Sequence, residues 1–113
     1  MTDKKIVLTT CGNDEDATRI ARNLVERRLA ACVNVLPGVR SLYHWQGKVE
    51  EDAELLLVIK TTEAAIEPLK TAVAEIPPYD VPELVVLPIE NGAAGYLDWI
   101  AENVAARGAR SVE

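Results

Sequence analysis

Three observations predict an α+β fold of the ferredoxin-like, split βαβ type. Strand-like and helix-spaced segments follow the order β-α-β, β-α-β, α; two long extended arms meeting at Gln46-Gly47 join the halves; and 113 residues suffice for one core but not two. The simplest solution is a four-stranded antiparallel sheet with helices on one face, a long hairpin between its second and third strands, and an additional C-terminal helix. Residues 1–113 then form a single domain whose tail, 105–113, is expected to fray.

The first strand is KIVLTTC, residues 5 to 11, rich in β-branched types and closed by Gly12-Asn13. Asn13, with Asp16 three positions on, signals a helix start, and Asp14, Glu15 and Asp16 place negative charge at the positive end of the helix dipole. Ala17, Ile20, Ala21, Leu24 and Val25 recur at three-and-four spacing, predicting a helix over 14–28 with Arg27-Arg28 at its negative end.

From CVNVL the chain is extended again, bends at Pro37-Gly38 where a proline cannot donate to a ladder, and resumes as VRSLYHWQ. The return arm is KVEEDAELLLVIKT, so each arm has about 13 residues and reaches roughly 43 Å at about 3.3 Å per residue. The first strand and the later strand at 83–90 are much shorter, so the hairpin overhangs its own sheet. A two-residue turn at Gln46-Gly47 sends Tyr43 and Trp45 to one side of the tip and Leu42 and His44 to the other.

Thr61 or Thr62 is the expected cap of a second helix built on Ala65, Ile66, Leu69, Ala72, Val73 and Ile76, stopping before Pro77-Pro78. PPYDVPE, residues 77 to 83, is a stiff extended connection. ELVVLPIE is the fourth strand, with Pro88 marking an edge or bulge, and Tyr96, Leu97, Ile100, Ala101 and Val104 mark the terminal helix.

The pattern leaves the second face of the sheet and the overhanging ribbon uncovered. An isolated two-stranded ribbon is marginal in water and open edges invite pairing, so a closed ring of identical subunits is expected. With 18 acidic against 12 basic residues, a net charge of −6, nucleic acid and anionic lipid are not expected partners. The longest apolar run, residues 55 to 59, is too short to cross a membrane, and MTDKKIVLTT lacks a signal-peptide core, which points to the cytoplasm. There the two cysteines stay reduced.

The chemistry is sparse. His44 is the only histidine, and it sits mid-strand in the ribbon, away from any Ser or Cys that reads as a nucleophile with a third orienting group. No glycine-rich phosphate loop occurs. Cys11 ends a strand just ahead of a helix N-terminus, a position that favours a thiolate, whereas Cys32, between Ala31 and Val33, reads as core. One histidine and two separated cysteines cannot close a zinc site in one chain, so any metal site is open or shared between chains. The acidic residues Glu50, Glu51, Asp52 and Glu54 alternate faces on a strand and read as solvated or ion-paired. Tyr43, His44 and Trp45 are the expected packing anchors between subunits. Tyr79, Asp80 and Glu83, with Lys60 at the end of the third strand, are expected to meet Cys11 in a ligand cleft.

The ordered set LAACVN, PG, SLYHWQGKVE, LLLVIKT and PYDVPEL strongly resembles the CutA family, the divalent-cation tolerance proteins, over about residues 4 to 104. The resemblance implies a ferredoxin-like subunit in a compact homotrimer similar in architecture to the PII signalling proteins, with long hairpins interlocking around the threefold axis. It also implies an association with tolerance to divalent cations, copper especially, and no enzymatic reaction. The chain departs from the family pattern at Pro77, where many members carry histidine, and at Gly12, where many carry proline. Cys11 is left as the candidate metal ligand.

The expected function is therefore a non-catalytic trimer that needs no obligatory cofactor and binds copper, another divalent ion or a small ligand in clefts between subunits. The alternative is a trimeric scaffold or anchoring module for a protein partner, with an indirect metal phenotype. An enzyme ranks last, because no acid, base and nucleophile converge.

Overall fold

The computed structural model describes residues 2–77 and 83–105. Strand β1, Lys4–Cys11, ends at Gly12, and Asn13 caps helix α1, Asp14–Glu26. The cap is the expected one: Asn13 Oδ1 accepts from the Asp16 amide at 2.8 Å, satisfying one of the helix's free N–H groups. The helix ends two residues earlier than expected. Arg28 turns into the left-handed region at φ 60, and the Leu29 and Ala30 amides fold back onto the Leu24 carbonyl, so Arg27-Arg28 lie beyond the last turn.

Strands β2, Cys32–Trp45, and β3, Lys48–Thr62, form the long hairpin, with arms of 14 and 15 residues. Gln46 and Gly47 have φ values of 51 and 81, the two left-handed positions of a tight two-residue turn, and Trp45 pairs directly with Lys48. The register slips between Leu36 and Val39, the bulge expected from Pro37-Gly38.

After β3 the structure corrects one reading: neither threonine caps the next helix with its side chain. Thr61 is buried and donates its hydroxyl to the Leu29 carbonyl at 2.7 Å, while Thr62 makes no side-chain cap and is followed by a 3-10 turn, Glu63–Ala65. Helix α2, Ile66–Ala74, follows with Pro68 in its first turn, where its missing N–H costs nothing. Most of the proline-rich connection, residues 78–82, lies outside the described residues. Strand β4, Leu84–Pro88, is shorter than the predicted 83–90, and helix α3 spans Ala94–Asn103. The expected fraying of the tail lies largely outside the described residues, but Ala105 itself donates its amide to the Arg28 carbonyl at 2.9 Å.

The strand order is β2-β3-β1-β4, all neighbours antiparallel, which with its helices is the predicted ferredoxin-like α+β architecture. Side-chain alternation assigns the two faces. Val7, Thr9, Cys11, Leu57 and Ile59 point toward α1 and α2 and form the core with Ile20, Leu24, Leu69 and Val73. A second, smaller cluster seats Ile100 of α3 and Val104, just after it, against Ala65. The other face carries Ile6, Leu8, Leu56 and Val58, half-buried at best, flanked by the exposed Leu36, Val85 and Leu87. Val85, Leu8 and Val58 lie side by side across three strands, as do Leu87, Ile6 and Lys60.

β1 pairs with β3 only from Leu55 to Thr62, so Lys48–Glu54 and the facing half of β2 project past the sheet as a free ribbon. The overhang follows directly from unequal strand lengths.

Candidate functional site

The sheet divides the expected cleft in two. Cys11 pairs with Leu55 at the ribbon end of β1, whereas Lys60 pairs with Ile6 at the opposite end, roughly 17 Å away at about 3.3 Å per residue. They also alternate onto opposite faces, Cys11 into the core and Lys60 onto the open face. Lys60 is therefore not a cleft partner of Cys11; β3 runs antiparallel to β1, so the end of one strand lies beside the beginning of the other. Glu83 does reach the Cys11 end: its carbonyl accepts from the Thr9 hydroxyl at 2.6 Å and its carboxylate from Thr10 at 3.5 Å. Tyr79 and Asp80 lie outside the described residues.

Cys11 is only 6% exposed and packed among core aliphatics, and its thiol points to the Asn13 carbonyl at 3.7 Å. Burial pushes the thiol up from its ordinary value; the contact with Asn13 opposes this, and the carboxylates of Asp16, Glu54 and Asp14 reinforce it. The helix-start position was expected to favour a thiolate. It does not, because burial among the core aliphatics disfavours the charged form, and the nearby carboxylates of Asp16, Glu54 and Asp14 add to this. Among the described residues no three His, Cys, Asp or Glu side chains converge, so the described part of one chain does not close a metal site.

The ribbon bears the acidic stretch, and its carboxylates are largely engaged in pairs. Glu51 accepts from Arg40 Nε at 2.8 Å, Glu54 accepts from the Ser41 hydroxyl at 2.6 Å, and Asp52 accepts from the Tyr43 hydroxyl. That last bond holds the Tyr43 hydroxyl on its proton, pushing its pKa up to about 12. Tyr43 and Trp45 share one face and Leu42 and His44 the other, as the turn predicts, and all four are exposed. Lys60 donates to Asn34 Oδ1 at 2.7 Å, and Cys32 approaches the same oxygen at 3.8 Å. Asn34 was missed in the sequence; it sits in CVNVL as an isolated polar residue, and only the register shows that it faces Val58 beside Lys60.

Two shallow cavities, each lined in part by Val25 and Glu26, lie beside the start of β2. One, of about 220 Å³, also touches Arg28, Ala30, Ala31 and Asn103; the other, of about 230 Å³, touches Ala21, Arg22 and Val33. Neither includes Cys11 or Glu83. No helix of the described residues is long and apolar enough to cross a membrane.

Residues 5–103 match the profile of the CutA1 divalent ion tolerance protein family. The divalent-cation tolerance protein CutA of Thermus thermophilus is 54% identical over 100 residues, covering 88% of this chain and 97% of that protein. Protein CutA of Homo sapiens is 46% identical over 93 residues, 82% of this chain but 52% of the human protein's length. The solved structure of the Thermus thermophilus divalent cation tolerance protein superposes with a TM-score of 0.87 at 53% identity, over 90% of this chain and 99% of the other. Fold, hairpin and motifs thus agree along almost the whole described length, and the chain belongs to the CutA1 divalent ion tolerance family.

Proposed function

We propose that this chain works as a non-catalytic homotrimer that takes up copper, another divalent ion or a small ligand where subunits meet, as part of divalent-cation tolerance. The observation that carries the assembly is the bare apolar face from Val85 and Leu87 through Leu8 and Val58, continued by a ribbon too thin to be stable alone. Three copies closing around that face bury both, in the manner expected of a PII-like ring.

The metal part rests on the family's association with divalent cations and on the position of Cys11 and Glu83 at one end of β1. Donors from a second copy complete the coordination. The two free thiols suit a reducing compartment, the cytoplasm. Sedimentation equilibrium tests the assembly, and a monomer at micromolar concentration refutes it. Copper titration of the assembled protein tests the site: stoichiometric uptake weakened in Cys11→Ser and Glu83→Gln is expected, and uptake no greater than surface background refutes it.

A second reading, a trimeric scaffold for a protein partner, is favoured by one feature. Tyr96 and Trp99 stack at 5.6 Å on α3 and remain exposed. Capture of one stoichiometric partner by the intact trimer, lost in Trp99→Ala, selects this reading.

A further inference from the structure

Lys60 is out of place on the open face. It lies in one row with Leu87 and Ile6, and its ammonium is held by a neutral amide, Asn34 Oδ1. None of the ion pairs among the described residues includes it. When a second copy covers the face, that charge loses its water, and a desolvated ammonium with only an amide partner is strongly unfavourable. Closure therefore requires an anion.

The ribbon holds a matching surplus. Of its four carboxylates, Glu51, Asp52 and Glu54 each have a partner in their own chain, Arg40, Tyr43 and Ser41. Glu50 has none among the described residues, and it sits in register with Tyr43 on the face that also bears Trp45. By alternation along β3 this is the same face of the ribbon that continues into the open face of the sheet. A heterologous ring joins two different patches of the chain, and the ribbon with Glu50 and the sheet with Lys60 are two such patches, at opposite ends of one face of β3.

We infer that Lys60 pairs with Glu50 of the partner subunit, and that this one charge pair sets the register in which the ribbon of each copy seats on the sheet of the next. The inference rests on the homo-oligomer proposed above and names the contact that orients it. Apolar contacts between ribbon and sheet tolerate sliding, whereas a single buried pair does not, which is the best-attested use of an ion pair in an interface.

The test is a charge-swap cycle on the full chain: Lys60→Glu, Glu50→Lys and the double variant, with the concentration of half-assembly read by sedimentation equilibrium. Each single reversal is expected to raise that concentration by at least about tenfold, and the double swap to bring it back to within about threefold of the starting protein. Lys60→Gln, which keeps the bond to Asn34 possible, serves where Lys60→Glu fails to fold, and it too is expected to weaken assembly. If the double variant is no better than the worse single one, or if only the Lys60 substitutions matter, the pairing with Glu50 is overturned. If the unsubstituted chain is itself a monomer, the homo-oligomer reading fails, and the inference fails with it for that separate reason.

Discussion

Trp45→Ala tests whether the proposed assembly depends on the ribbon tip. Trp45 is 59% exposed at the end of β2, beside a two-residue turn. On an aromatic side chain of about 250 Å², that exposure leaves roughly 150 Å² to be covered by another copy. At about 25 cal/mol per Å², covering it contributes roughly 4 kcal/mol at each interface. Even at half that efficiency, removal weakens each contact by about 2 kcal/mol, more than a tenfold change in affinity. Within one subunit more than half of Trp45 is already exposed, so the melting curve of a dissociated variant should lie close to that of dissociated starting protein. The assay is mass photometry or sedimentation across a dilution series, paired with circular dichroism. Association unchanged within about twofold refutes the argument that the ribbon is sheltered by neighbouring copies.

Three further outcomes follow from individual contacts. Thr61→Val keeps the shape of a fully buried residue but strands the Leu29 carbonyl, and should cost about 1–3 kcal/mol in denaturant unfolding. Cys11 should resist alkylation at neutral pH in the native protein and react at the unfolded rate only after denaturation, because burial holds its thiol protonated; that stability is complete below the unfolded thiol's pKa and is lost as pH rises past it. Tyr43, with its pKa raised to about 12 by Asp52, should ionise above the ordinary phenol range in an ultraviolet titration; the stability it adds is intact below the ordinary phenol value near 10 and falls between there and about 12. Asp52→Asn should bring that ionisation down.

Local signals were strong where one residue decides the geometry. Asn13 ahead of three acids named the start of α1, Pro37-Gly38 named the bulge, and Gln46-Gly47 named the turn. Unequal strand lengths, countable in the sequence, made the overhanging ribbon legible before any coordinates. The cleft was not legible, because it depended on which ends of two strands meet. Lys60 and Cys11 each stand at the end of a strand, and only antiparallel pairing of β1 with β3 reveals that these are opposite ends. The thiolate reading failed for a related reason: a helix N-terminus attracts anions, but the fold buries Cys11 among core aliphatics, which disfavours its charged form, and Asp16, Glu54 and Asp14 nearby add repulsion.

The two faces of the sheet therefore separate two properties that the proposed function joins. Cys11 faces the helices, while the apolar surface proposed to seat another copy is the opposite face. A change of one atom at Cys11 should then alter ion uptake without altering assembly. Cys11→Ser, which places a hydroxyl where the thiol already has the Asn13 carbonyl within reach, is expected to sediment as the same oligomer at the same half-assembly concentration, with copper uptake reduced. Dissociation of that variant at concentrations where its subunit remains folded would mean that Cys11 itself carries assembly as well as ion uptake, and the separation drawn from strand alternation would be wrong.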